Sequence, residues 1–129
     1  MSCSGNKTKD DIDEYKNIKL LTGFWGWNNE QCQNNPISIS FSDGGETMFH
    51  DTPKGMQLGD PDKAFKRLIY VIHSQSQGVL NTSIEKEDRR DSSGNRVSWS
   101  LVIQNEYSFC WHRSDWKTGA CTKSLTKCR

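Results

Sequence analysis

The sequence has no long apolar run, no excess of charge of either sign, and few prolines. The longest apolar stretch, Leu68–Ile72, is of strand length, whereas a membrane-crossing helix needs about 20 residues. Seventeen basic and 16 acidic residues leave a net charge of +1. They are mixed along the chain, which gives no electrostatic footprint for nucleic acid or an anionic membrane. There is no phosphate-binding glycine loop, dinucleotide fingerprint, EF-hand loop or G-x-S-x-G elbow. Apolar residues make up only 33%, and the mean hydropathy is -0.83. That poverty alone would suit a disordered chain. Five Trp, five Phe and three Tyr argue otherwise, since disordered segments are poor in aromatics. Each buries about 150–250 Å², so the 129 residues read as one domain with a thin, aromatic-rich core.

Alternation and turn residues predict the organisation. Residues 1–18 are expected to be a flexible tether, with Ile12, Tyr15 and Ile18 at the spacing of a short helical turn. Residues 19–129 are expected to form a single all-β domain. Leu20–Trp27 reads as a first strand with a glycine bend. Ile37, Ile39 and Phe41 share one face, and Asp43-Gly44-Gly45 turns the chain into Glu46–His50. Residues 51–64 hold two prolines and two glycines and read as a long loop, with a faint helical signal at Asp62–Arg67. Further strands are expected at Phe65–Ser74, from Val79, over Arg96–Gln104, over Tyr107–Arg113 and at Cys121–Leu125. About eight short strands point to an antiparallel barrel or sandwich.

Cysteines refine this picture. Cys32, Cys110, Cys121 and Cys128 lie with the patterned region, and Cys3 stands apart in the polar tail. An even set of four predicts two disulfides and an oxidising compartment. Three connectivities are open. A zinc site built from Cys110, His112, Cys121 and Cys128 lacks the tight cysteine pair such sites use, so no metal and no cofactor is expected.

Three histidines offer chemistry. His50-Asp51 has the composition of a base and its orienting carboxylate, but no activated nucleophile accompanies it. The carboxylates of Glu85–Asp91 sit among arginines and read as a solvated hairpin end, where ion pairs contribute little. Binding is therefore expected, not catalysis. The stretch Phe109–Gly119 is the most unusual. Trp111, His112, Arg113, Asp115 and Trp116 have the composition of a binding hot spot. A second reading places Trp111 in the core, Trp116 over a disulfide and Arg113–Asp115 as a local ion pair. Lys54 and Met56, in the 51–64 loop, are the other candidate partner-binding residues.

Cys3-Ser4-Gly5-Asn6 resembles the mature start of a bacterial envelope lipoprotein. The resemblance implies lipidation at Cys3, with Ser4 directing the protein to the outer membrane, facing the periplasm. The membrane is then met only through the lipid. Gly23 and Trp25 resemble the G-x-W start of lipocalin-like barrels, which implies a Trp plugging one barrel end. The layout as a whole is similar to periplasmic inhibitors of cell-wall enzymes and to immunity proteins. This implies a protein partner, a toxin or a cell-wall enzyme, that is bound and neutralised. The alternative is a lipocalin-like carrier of a small apolar ligand, for which an open apolar cavity of roughly 300 Å³ or more is expected.

Overall fold

In the computed structural model, which describes residues 9–129 and side chains from residue 12 onward, eight strands follow a short helix. Cys3, and with it the expected lipid site, lies outside the described residues. The helix α1 spans Lys9–Leu21. The strands are β1 Gly23–Gly26, β2 Ile37–Phe41, β3 Thr47–Gln57, β4 Ala64–Ser76, β5 Val79–Ile84, β6 Trp99–Asn105, β7 Ser108–Arg113 and β8 Leu125–Lys127. A second helix, α2, covers Asn29–Asn34 between β1 and β2. Every strand pairs antiparallel with its neighbour in sequence. Trp25 pairs with Lys127 across β1 and β8, which closes the sheet. The fold is an up-and-down barrel, and the sandwich alternative falls.

Period-two burial marks β2, β5 and the lower part of β3, and in β7 the intervening Cys110 is buried as well. Ile37 and Ile39 face the interior from β2, Leu80, Thr82 and Ile84 from β5, and Phe109 and Trp111 from β7. Hairpins at residues 42–46, 77–78 and 106–107 lie at the end of the barrel that α1 covers. Asn17 fixes this placement. Its Nδ2 donates to the Gln75 side chain and to the Ser76 carbonyl, both at 3.0 Å. Asp13, Asn17 and Leu21, four residues apart, are all buried, so they form one helix face. Folded structure therefore reaches into the segment expected to be a tether.

Trp25 fills the axis at this end. It is fully buried, donates from Nε1 to the Leu21 carbonyl at 2.8 Å and meets Phe109 edge-on at 4.9 Å. The Lys127 ammonium lies 5.6 Å from the Trp25 ring centre and donates to the Leu20 carbonyl at 3.2 Å. Helix, plug and last strand are thus joined.

Several local expectations need correction. Residues 51–57 are not loop but the upper part of β3, and the connection shrinks to 58–63. Pro53 has no N–H to give a ladder, and the β3–β4 register shifts between Asp51 and Met56. There Asn35 replaces the missing pairing. It accepts from the Lys54 N–H at 2.7 Å and donates to the Gly55 carbonyl at 3.1 Å. Asp62–Arg67 is not helical, because Ala64 onward belongs to β4. The last strand lies at Leu125–Lys127, later than expected. The helix α2 was unforeseen; Asn28 caps it by accepting from the Gln31 N–H at 2.8 Å.

The four patterned cysteines form Cys32–Cys128 and Cys110–Cys121. The first ties α2 across the β1–β8 seam. The second ties the 114–124 connection to β7. Neither pair leaves a thiol for the zinc site considered above.

Candidate functional site

The barrel is filled in one half and hollow in the other. Around Trp25, the side chains of Leu21, Ile39, Met48, Leu80, Leu101 and Phe109 are all buried to 1% exposure or less. Above them lies a cavity of about 370 Å³. Its lining draws on all the connections at the end away from α1. Trp27, Gln31 and Asn35 come from the β1–β2 connection, Leu58 from β3–β4, Arg89 from β5–β6 and Thr122 from β7–β8. The cavity therefore opens at that end, as a cup.

Its walls are mostly rings and aliphatic chains. Tyr70 and Trp111 stack with centroids 5.0 Å apart and planes 14° from parallel. Trp99 stands edge-on to Trp111 at 6.2 Å. Ile37, Met56, Leu68, Ile84 and Leu125 complete the apolar surface. Such a surface suits ligands bound by burial and ring contact.

His50 is the exceptional polar group. It is 1% exposed, and its ring lies 4.5 Å from Tyr70 and 5.8 Å from Trp111. Its Nε2 has no hydrogen-bond partner, which costs about 1–3 kcal/mol in a buried site. Burial drives its pKa down to about 3, against a small opposing pull from Asp51, so the imidazole is uncharged at neutral pH. The expected His50-Asp51 pair does not form. Successive strand residues point to opposite faces, and the Asp51 carboxylate lies outside the barrel on Arg67, at 2.6 Å.

Arg89 is the sole formal charge among the lining residues. Its Nε and Nη2 donate to the two carboxylate oxygens of Glu87, both at 2.9 Å. Trp99 Nε1 adds a third bond to Glu87 at 3.0 Å. Burial pushes the Glu87 carboxyl up. The bonds from Arg89 and Trp99, with the guanidinium charge, outweigh it and hold the carboxyl below its ordinary range. Glu87 is thus a buried anion, not part of a solvated hairpin end. Two unit charges 4 Å apart interact by about 4 kcal/mol at an effective dielectric of 20. An anion docking on Arg89 would gain this attraction and lose much of it to Glu87.

The expected hot spot is spread through this architecture. Trp111 is buried in the cup wall, and Met56 lines the rim. Trp116 is half-buried, edge-on to Trp99 at 5.6 Å and to His112 at 6.3 Å. The His112 Nδ1 meets the Ala120 carbonyl. Arg113 Nε lies 2.9 Å from the Asp115 carboxylate, off the N–H axis, as a charge contact and not a hydrogen bond. Lys54 is exposed. Sequence reasoning passed over Trp27, Tyr70, Arg89 and Trp99 as site residues. For Tyr70 and Trp99 the strand alternation was an available signal.

No protein-family model, curated protein or solved structure matches this chain.

Proposed function

We propose that this protein binds and carries a small, largely apolar ligand in the open half of its barrel. One observation carries the reading: the barrel interior is close-packed around Trp25 and hollow above it, in a cup of about 370 Å³. Protein interiors are normally filled to crystal-like density, so a hollow of this size lined by rings favours an occupant. The Gly23-x-Trp25 resemblance to lipocalin-like barrels supports the same reading. Protein neutralisation, the other expectation, leaned on Trp111, His112, Arg113, Asp115 and Trp116 and on the 51–64 stretch with Lys54 and Met56; of these, Trp111 is barrel wall and residues 51–57 are strand. The paired cysteines favour work in an oxidising compartment such as the cell envelope.

The test is titration of the purified protein with N-phenyl-1-naphthylamine, an uncharged probe that fluoresces in apolar surroundings. Burying about 250 Å² of its surface at about 25 cal/mol/Å² gives about 6 kcal/mol, less the cost of association. Saturable, one-to-one binding with a Kd between about 40 μM and 1 mM is expected. Met56→Trp, which narrows the rim, is expected to weaken it about tenfold or more. Absence of saturable binding, or equal binding in Met56→Trp, counts against the carrier reading.

A further inference from the structure

Resting on the carrier reading, we infer that the cup selects an apolar ligand bearing an uncharged hydrogen-bond acceptor, such as an aromatic ketone, and that the free edge of the Arg89 guanidinium receives its oxygen. Three features of the cup lead there. The first is a surplus of donors. An arginine carries N–H donors on every side-chain nitrogen and no acceptor. Glu87 takes one N–H from Nε and one from Nη2, while Nη1 makes no bond among the described residues. The Arg89 side chain is 29% exposed and lines the cavity, so a ligand atom can reach it. Trp27 and Trp111 also line the cavity, and their indole N–H groups, which only donate, are unbonded among the described residues.

The second is a shortage of acceptors. Gln31 Oε1 accepts from the Trp27 N–H at 2.6 Å, and Asn35 Oδ1 from the Lys54 N–H at 2.7 Å. Thr122 Oγ1 accepts from the Trp111 N–H at 3.0 Å and donates to the Lys123 carbonyl at 2.9 Å. Both Glu87 oxygens are held by Arg89 and Trp99. Gln57 keeps a free amide oxygen, but at the exposed end of β3. A ligand donor inside the cup therefore goes largely unpaired, which is costly once it is buried. A ligand acceptor finds a donor waiting.

The third is charge. Glu87 is ionised beside the guanidinium, its carboxyl held below the ordinary range by Arg89 and Trp99. A carboxylate ligand meets that anion at the only cation in the lining. A neutral carbonyl takes a charge-assisted bond from Arg89 without the repulsion. The stacked Tyr70 and Trp111 rings suit an aromatic body for it.

The test competes three ligands against N-phenyl-1-naphthylamine at pH 7. They are 2-acetylnaphthalene, 2-isopropenylnaphthalene, which has a methylene in place of the oxygen, and 2-naphthoate. In wild type the ketone is expected to bind at least as tightly as the alkene, although it gives up more hydration, with 2-naphthoate weakest. The double variant Glu87→Gln, Arg89→Met removes the guanidinium without stranding a carboxylate. In it the ketone-to-alkene affinity ratio is expected to fall about tenfold, as for loss of a bond to a charged group. Should that variant fail to fold, guanidinium nitrogen NMR of the wild type gives the same answer: the Arg89 Nη signals move with the ketone and not with the alkene. A ketone held more weakly than the alkene in wild type, a ratio unchanged in the variant, or Nη signals that respond equally to both ligands overturns the inference and leaves the carrier reading standing. Preference for 2-naphthoate overturns it in favour of an anion site at Arg89. If neither the reporter probe nor any competitor binds, both fall together.

Discussion

Arg89 and Glu87 meet at two points, Nε and Nη2 each 2.9 Å from a carboxylate oxygen, in the wall of the cup. Glu87 has a side chain only 1% exposed, against 29% for Arg89, and Trp99 Nε1 completes its shell. The pair holds a charged guanidinium at the cavity without giving the cavity a net charge. Glu87→Gln keeps the shape and removes the neutralising charge. Its unfolding free energy in urea is expected to drop by about 1.5–3 kcal/mol, the range for bonds to a charged group. At the same time the cup becomes cationic, and 2-naphthoate is expected to bind about tenfold more tightly than to wild type. Unchanged naphthoate affinity would show that Glu87 does not set the charge preference.

Acid is expected to destabilise the protein through His50. Its folded pKa is about 3, against 6.5 for an unburied imidazole, so the unfolded chain binds the extra proton between these values. Stability is therefore full above pH 6.5 and is lost as pH falls toward 3, by up to a few kcal/mol. Glu87, whose folded pKa is depressed, acts in the same direction within the carboxylate range. The difference between wild type and His50→Leu isolates the histidine. The stability of wild type relative to His50→Leu is expected to fall as pH drops from 6.5, and a difference that does not change with pH would contradict the buried neutral imidazole.

The two disulfides are expected to contribute unequally. Cys32–Cys128 closes 96 residues and Cys110–Cys121 closes 11. By loop-closure entropy the longer bridge gives about 4–5 kcal/mol and the shorter about 3. Serine replacement of both cysteines in each pair, followed by urea unfolding, gives the order. A larger loss from the 110–121 pair would mean that anchoring the 114–124 connection on β7 outweighs chain entropy.

Much of the barrel was legible because several strands bury one face. Ile37-x-Ile39, Leu80-x-Thr82-x-Ile84 and Phe109-x-Trp111 announce strands, and the even cysteine set announces two bridges. Other features carried no pattern to read. The helix α1 docks through Asp13 and Asn17, polar residues that a search for apolar periodicity passes over. Pro53 and Gly55 made 51–64 look like a loop, because the compensating partner, Asn35, lies 19 residues before Lys54 and 20 before Gly55. Nothing in Glu85–Asp91 marks Glu87 as the buried acid. The hollow itself is a matter of volume: the same aromatic residues can fill a barrel or line one, and spacing alone does not choose.

Asn35 offers the closing prediction, since it both lines the cup and holds the irregular upper part of β3. Its Oδ1 accepts from Lys54 and its Nδ2 donates to Gly55, so both backbone groups lose their partner in Asn35→Ala. A cost of about 1–2 kcal/mol is expected. In Asn35→Asp the Lys54 bond survives, but a carboxylate oxygen then faces the Gly55 carbonyl, so a loss is expected there too. The local consequence is more telling than the global one. The Lys54 amide is expected to exchange with solvent faster in Asn35→Ala and to stay protected in Asn35→Asp, with amides of β6 unchanged in both. Because Met56 follows directly in the rim, the alanine variant is also expected to release N-phenyl-1-naphthylamine faster. Exchange at Lys54 that is unaltered in Asn35→Ala would mean that the strand holds its shape without this side chain.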